Sequence, residues 1–129
     1  MPGTSASLKA GMELSLLDLF FGMMLPSGND AAFCVAEYLG SIVTETENLG
    51  NTIHDVDKLD RLGLTKKNPV WKYLELMNNL SKRLKMFNSR FTNSHGLSQN
   101  TNTSTAEDLA KLCTYAMKNK LFVNIVNTK

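Results

Sequence analysis

The sequence predicts an all-α protein of four to five helices. Apolar residues recur at steps of three and four in several segments, and helix-start signatures precede those segments. Alternation of apolar and polar residues, the pattern of a half-buried β-strand, nowhere extends over a convincing length. The chain has 129 residues, 43% of them hydrophobic, which suits a single domain spanning residues 1–129 and argues against disorder.

Charge and hydropathy exclude several classes of function. A formal net charge of +2 is too small for us to expect a nucleic-acid or anionic-membrane partner. The longest apolar run, residues 19–25, is far shorter than the roughly 18 residues that a membrane-spanning helix needs. The N-terminal residues lack the apolar core of a secretory signal, so we expect a cytosolic chain if Met1 is the native start.

The first predicted helix follows an irregular lead-in, residues 1–14. Ser15 is the expected N-cap, and Asp18 three residues later completes a capping box. The helix covers residues 16–25 and ends before Pro26, whose ring cannot continue it. Because this helix is apolar on nearly every face, we expect it to be buried on most sides.

A second helix is predicted to begin at Asn29 or Asp30 and to run to Leu39, with Gly40 as its stop. Alanines on one face allow close approach between helices, so this helix should form the centre of the core. The residues expected there are Ala31, Ala32, Val35, Ala36 and Leu39. A polar excursion over residues 42–67 follows, and a short helix over Val56–Leu62 is the one element we predict within it.

The third helix has a clear start, because Asn68 is a capping residue and Pro69 suits the first helical position. A loop follows it, and we expect its apolar members Phe87, Phe91 and Leu97 to pin it to the core. One apolar stripe is predicted along the helix, formed by Val70, Tyr73, Leu74, Met77, Leu80, Leu84 and Phe87.

Ser104 is predicted to cap the next helix, with Glu107 at the box position, and residues 121–126 can add one or two further turns. Cys34 and Cys113 both lie in apolar helical patterns, which predicts buried free thiols. The inner face of the helix after Ser104 is expected to contain Ala106, Leu109, Leu112, Cys113 and Ala116.

The best candidate for chemistry is the polar elbow between the first two helices, Ser27-Gly28-Asn29. A serine hydroxyl can relay a proton, and an asparagine amide can both donate to and accept from a peptide-like substrate. Any turn between helices uses the same residue types, so the triplet alone is a weak signal.

The surroundings of the elbow make the signal stronger. Five blocks of the sequence resemble, in their order, the serine D-alanyl-D-alanine carboxypeptidases of the S11 peptidase type, the low-molecular-weight penicillin-binding proteins. The blocks are GTSASLKAG, LSLLDLFFGMMLPSGNDAAFCVAEYLG, SKRLKMFNSRFTNSHGL, STAEDLAKLCTYAMKN and FVNIVNTK. The resemblance implies the helical lobe of the penicillin-binding/β-lactamase-like fold without its sheet, and residues 42–67 as an insertion.

The resemblance also implies an activity. The family cleaves terminal D-alanine from peptidoglycan stem peptides through an acyl-serine, using the motifs S-x-x-K, S-x-N and K-[ST]-G. Only S-x-N occurs in this chain, where Ser27 would pass a proton to the leaving amine and Asn29 would hydrogen-bond the acyl side. We therefore expect the isolated chain to be inactive, and to bind a D-Ala-D-Ala peptide or a β-lactam only if the missing motifs are supplied.

One alternative function accompanies this hypothesis, and two histidines are weighed as further candidates. The chain could be a non-catalytic structural or interaction subunit derived from the family, and a helical lobe without its sheet should expose an apolar face that favours self-association or a protein partner. His95 is expected to make a turn hydrogen bond rather than act as a base. His54, near Asp55 and Asp57, is interpreted as part of a solvated loop, so we predict no metal and no cofactor.

Overall fold

The computed structural model describes residues 3–50, 68–97 and 101–128. Within these ranges the only pairing of β type is an isolated antiparallel bridge between Arg90 and Thr103, so the all-α prediction is confirmed. The same ranges contain five helices, which are α1 (Leu16–Met24), α2 (Asn29–Gly50), α3 (Pro69–Arg83), α4 (Ala106–Ala116) and α5 (Lys120–Val126). None of these helices is both long and apolar enough to cross a bilayer.

Helix α1 starts as predicted but is less buried than predicted. The Asp18 N–H donates to Ser15 Oγ over 3.1 Å, and the Ser15 N–H donates to the Asp18 carboxylate over 3.0 Å, which completes the capping box. No residue of this fully described helix is buried, and Leu17 keeps 46% of its surface exposed. The expectation of burial on most sides is therefore wrong, because α2 covers one side of α1 and α5 touches it elsewhere.

Helix α2 begins at Asn29 but does not end at Gly40. It continues through this residue to Gly50, so the predicted stop is wrong and residues 42–50 are helical. A Cβ atom at position 40 would lie 1.9 Å from the Pro69 carbonyl oxygen, which shows that the glycine serves the crossing of α2 and α3. The rest of the predicted excursion, with its helix over 56–62, lies outside the described residues.

Helix α3 starts as predicted, with the Val70 N–H donating to Asn68 Oδ1 over 3.0 Å. It ends in a Schellman turn, in which Lys85 adopts a left-handed φ of 59° and the Met86 N–H donates to the Ser81 carbonyl over 2.9 Å. This turn places Met86 in the core and leaves Phe87 76% exposed. The predicted continuation of the stripe to Phe87, and its role as a pin, are wrong because the helix ends first.

The core is built around the small residues of α2. Four of the five residues predicted there are buried, while Leu39 is half-buried. Phe91 and Leu97 are half-buried, in agreement with their expected role as pins. The buried hydrophobic residues of the described ranges are Ala31, Ala32, Val35, Ala36, Leu74, Met86 and Ile125.

Helix α4 begins one residue later than predicted. The Asp108 N–H donates to Thr105 Oγ1 over 3.2 Å, so Thr105 rather than Ser104 is the N-cap. The predicted inner face is also wrong, since Leu109 is 44% exposed and Cys113 is exposed, and the buried residue of α4 is Asp108. Both cysteines are free as predicted, but Cys34 is only half-buried.

Candidate functional site

The elbow between α1 and α2 is held by hydrogen bonds from two sides. On one side Thr4 Oγ1 donates to the Ser27 carbonyl, and the Asn29 N–H donates to the Thr4 carbonyl over 2.9 Å. On the other side the Gly28 N–H donates to the Gly22 carbonyl of α1 over 3.1 Å. These bonds hold Ser27 at a φ of 55°, in the left-handed region that a residue with a side chain rarely adopts.

The middle residue of the triplet must be glycine in this packing. A Cβ atom on Gly28 would lie 2.5 Å from the Gly22 carbonyl oxygen and 2.8 Å from both the backbone nitrogen and the Cβ of Ala6. These distances are far below van der Waals contact, and two of the three obstacles are backbone atoms. The lead-in, α1 and the elbow therefore meet without free space at Gly28.

Ser27 and Asn29 differ in their exposure. Ser27 is exposed, whereas Asn29 keeps 4% of its surface accessible. A Cβ atom on Gly3 would lie 2.3 Å from Asn29 Nδ2 and 3.2 Å from a methyl group of Leu97, so Gly3 lies against the amide with Leu97 close by. The structure thus places the two predicted site residues on one elbow but exposes only Ser27 to solvent.

Asp30 is the residue that fixes the lead-in, and sequence reasoning gave it no role beyond a helix start. Its carboxylate accepts hydrogen bonds from Ser5 Oγ (2.7 Å), Ala6 N–H (2.8 Å), Leu8 N–H (3.0 Å) and Ala31 N–H (3.0 Å). Burial raises the pKa of this carboxyl, but the four donors outweigh burial and hold the pKa well below its ordinary value of 3.8. Asp30 is therefore an anionic anchor for the lead-in.

The loop after α3 is a closed turn organised by Asn93. Asn93 Nδ2 donates to the Leu97 carbonyl over 2.9 Å, and Asn93 Oδ1 accepts from the Gly96 N–H over 2.8 Å. His95 Nδ1 accepts from the Leu97 N–H over 3.2 Å, which confirms the predicted turn hydrogen bond. The alternative histidine, His54, lies outside the described residues.

A second carboxylate, that of the buried Asp108, ties α4 to the same loop region. It accepts from the Asn88 N–H and Ser89 Oγ, each over 2.9 Å, and from Lys111 Nζ over 3.2 Å. Burial raises the pKa of Asp108, but the hydrogen bonds from Ser89, Lys111 and Asn88 outweigh it, so the pKa lies below 3.8. Its role is structural, since it holds the start of α4 against residues 88–89.

The two aspartates share a signal that the sequence does contain. Each lies in the first turn of a helix, where an acidic residue is normally interpreted as a partner of the helix dipole. Each also accepts from donors that lie 19 to 25 residues earlier in the chain, and local sequence patterns do not report contacts over that separation.

A groove of about 520 Å³ lies between the lead-in, α1 and α2, away from the elbow. Neither Ser27 nor Asn29 lines it, so it does not extend the candidate site. Its lining is mainly apolar and consists of Leu8, Lys9, Met12, Leu14, Ser15, Leu16, Leu19, Cys34 and Tyr38.

Comparison with known proteins identifies the class to which this arrangement corresponds. Residues 70–129 match the Peptidase S11 family, D-alanyl-D-alanine carboxypeptidase. The solved structures that superpose on the chain have the penicillin-binding/β-lactamase-like fold. The resemblance to the S11 D-Ala-D-Ala carboxypeptidases is therefore confirmed, and the five helices correspond to the helical part of that fold.

The particular relatives are bacterial. A curated D-alanyl-D-alanine carboxypeptidase of Streptomyces sp. (strain K15) is 29% identical over 126 residues, which cover 98% of this chain and 36% of the relative. The crystal structure of the Streptomyces K15 DD-transpeptidase superposes with a TM-score of 0.76 at 31% identity, covering 98% of this chain and 40% of that chain.

A second solved relative is the D-alanyl-D-alanine carboxypeptidase DacD from Francisella tularensis. It superposes with a TM-score of 0.67 at 29% identity, covering 97% of this chain and 23% of its own. The chain thus spans less than half the length of the relatives it matches, and it resembles part of such an enzyme.

Proposed function

We propose that residues 1–129 contribute the Ser27-Gly28-Asn29 elbow to a serine-type D-Ala-D-Ala carboxypeptidase site that acts through an acyl-serine. The observation that supports this most is the elbow itself, which is built by hydrogen bonds on both sides and presents Ser27 to solvent. The similarity to carboxypeptidase and transpeptidase relatives over almost the whole chain supports the choice of reaction.

In the proposed site Ser27 and Asn29 have separate tasks. The Ser27 hydroxyl passes a proton to the leaving amine, a role that its exposure supports. The Asn29 amide donates to and accepts from the acyl side of a D-Ala-D-Ala peptide. The second task carries a structural condition, because Gly3, which lies before the residues that bond to Asp30 and the elbow, must move off the amide before a substrate reaches it.

The proposal requires groups that the sequence does not contain. No S-x-x-K and no K-[ST]-G occurs in the 129 residues, so the sequence offers no motif-defined nucleophile and base. A serine without a base and an oxyanion hole is a poor nucleophile at neutral pH. We therefore expect intact-mass spectrometry of the chain, incubated with a β-lactam, to show no stoichiometric adduct, and an adduct would contradict this account.

A chimera tests the positive part of the proposal. Residues 3–128 would replace the matching segment of the Streptomyces K15 enzyme, which supplies the rest of the protein. We expect the chimera to be acylated by a β-lactam, and Ser27→Ala to slow acylation by about 100-fold, as for loss of a general acid–base group. Ser41→Ala, which removes a hydroxyl bonded to the Tyr38 carbonyl on α2, is the matched control and should leave the rate unchanged. An acylating chimera that tolerates Ser27→Ala would refute the assignment.

We also propose that a second copy of the chain covers the apolar surface of α1 and α5. These helices contact each other, and four large side chains within them or at the C-cap of α1 are 42–50% exposed, namely Leu17, Leu25, Leu121 and Val126. The isolated chain should then associate with itself in size-exclusion chromatography with light scattering, and Leu17→Lys should reduce the association. A wild-type chain that stays monomeric at all accessible concentrations would refute this.

A further inference from the structure

The lead-in bonds both to the elbow and to the residue that follows it, Asp30. Residues 5–8 place three donors on the Asp30 carboxylate, with Ala6 N–H on Oδ1 and both Ser5 Oγ and Leu8 N–H on Oδ2. The fourth donor, Ala31 N–H, orients the carboxylate relative to its own helix. Because both oxygens are used, the lead-in is fixed in direction as well as in distance from α2.

Thr4, the residue before this segment, hydrogen-bonds to the backbone of the elbow at Ser27 and Asn29. Thr4 Oγ1 donates to the Ser27 carbonyl, while the Thr4 carbonyl accepts from the Asn29 N–H. Ser27 has a φ of 55°, and such a conformation persists only where the surroundings impose it. Thr4 is one residue before the segment that Asp30 holds.

Packing leaves no free space between these two attachments. Ala6 lies against Gly28 so closely that a single added carbon would meet its backbone nitrogen at 2.8 Å. A shift of the lead-in therefore reaches the elbow directly, since close-packed interiors transmit displacement.

We infer that Asp30 is a positioning residue, which locks the lead-in against the elbow and thereby sets the orientation of Ser27 and Asn29. The inference rests on the proposed function of the elbow for its catalytic meaning. Asp30 does not act on substrate, because its two oxygens are occupied by four donors of the chain. A carboxylate suits the task because it accepts at both oxygens and donates at neither.

Two substitutions separate this role from a general loss of structure. Asp30→Ala removes all four bonds. Asp30→Asn keeps the shape, but its NH₂ group must face a backbone N–H, at Leu8 in one orientation and at Ala6 and Ala31 in the other. Glu37→Gln, an isosteric loss of charge at an exposed position of the same helix, is the matched control.

The readout is amide hydrogen exchange in the 129-residue chain, followed by NMR. In Asp30→Ala we expect the amides of Ala6, Leu8 and Asn29 to exchange at least about tenfold faster, since local opening becomes less costly there. The Ala32 amide, bonded to the Gly28 carbonyl, should keep its wild-type rate. Asp30→Asn should give a smaller change of the same pattern, and Glu37→Gln none.

Two results would overturn the inference. Faster exchange at Ala6 and Leu8 with an unchanged Asn29 amide would show that the lead-in does not hold the elbow. A uniform increase that includes Ala32 in both Asp30 variants would show only a structural role.

The measurement does not depend on catalysis, so the proposed function can fail while this inference stands. In an acylating chimera, Asp30→Asn should lower the acylation rate constant and leave β-lactam affinity unchanged.

Discussion

Gly40 offers the sharpest test of the packing, because two physical effects predict stability changes of opposite sign for Gly40→Ala. Gly40 lies within α2, where alanine is favoured over glycine by about 1 kcal/mol on helix propensity alone. The structure predicts the reverse, since an added Cβ atom would lie 1.9 Å from the Pro69 carbonyl oxygen and 2.6 Å from its carbonyl carbon. Gly40→Ala therefore forces α2 and the start of α3 apart.

The expected magnitude follows from these distances. The two backbones must separate by roughly 1 Å or more, and overpacking of this kind costs about 1–3 kcal/mol. The upper part of that range applies because the obstacle at Pro69 is backbone rather than a flexible side chain. After the propensity gain, we expect a net loss of about 2 kcal/mol, which lowers the Tm by roughly 6–8 °C in a chain of this size.

Far-ultraviolet circular dichroism, with heat and with urea, measures this difference. Gly22→Ala is the matched control, because Gly22 is also helical and its added Cβ would meet the Cβ atoms of Ala6 at 3.2 Å and Ala31 at 3.5 Å. The control should stay within about 1 kcal/mol of the wild type, since the propensity gain offsets a mild contact. A Gly40→Ala chain more stable than the wild type would refute the close crossing of α2 and α3.

Two further predictions concern the left-handed turn and the carboxylates. Lys85→Gly should stabilise the chain by about 1 kcal/mol, because φ is 59° and a side chain is penalised there; an unchanged thermal midpoint would contradict this. Asp30 and Asp108 have pKa values below the ordinary 3.8, so their stabilisation is full above that pH and is lost as the pH falls below it. These two groups should not change the urea midpoint between about pH 5 and 8, and the midpoint should decline below about pH 4. A midpoint that stays constant down to about pH 3 would refute the prediction.

Local hydrogen bonding explains which parts of the fold the sequence could predict. The starts of α1 and α3 were correct because Ser15, Asp18 and Asn68 bond within two or three residues of themselves. The prediction for Gly40 was wrong because a glycine can either end a helix or allow two helices to cross closely. Pro69, whose contact with Gly40 decides between the two, is distant in sequence. Phe87 was misplaced because a lysine, not a glycine, forms the left-handed turn after α3.

In the candidate site, too, local patterns were predictable and contacts between distant residues were not. Ser27 and Asn29 were found through the motif and its surroundings, and the structure places them on one elbow, although their catalytic roles stay a prediction. The functions of Thr4 and Asp30 were missed because their partners lie more than 20 residues away. The exposure of Leu109 and Cys113 on α4 was missed because an apolar pattern shows which residues avoid water but not which element covers them.

The bridge between Arg90 and Thr103 has a consequence for how the chain tolerates change. Arg90 N–H donates to the Thr103 carbonyl over 2.8 Å, and Thr103 N–H returns a bond to the Arg90 carbonyl over 3.0 Å. Residues 90 and 103 are thus joined to each other by backbone atoms alone. Because both bonds are made by backbone groups, any residue other than proline at positions 90 and 103 should leave this closure undisturbed.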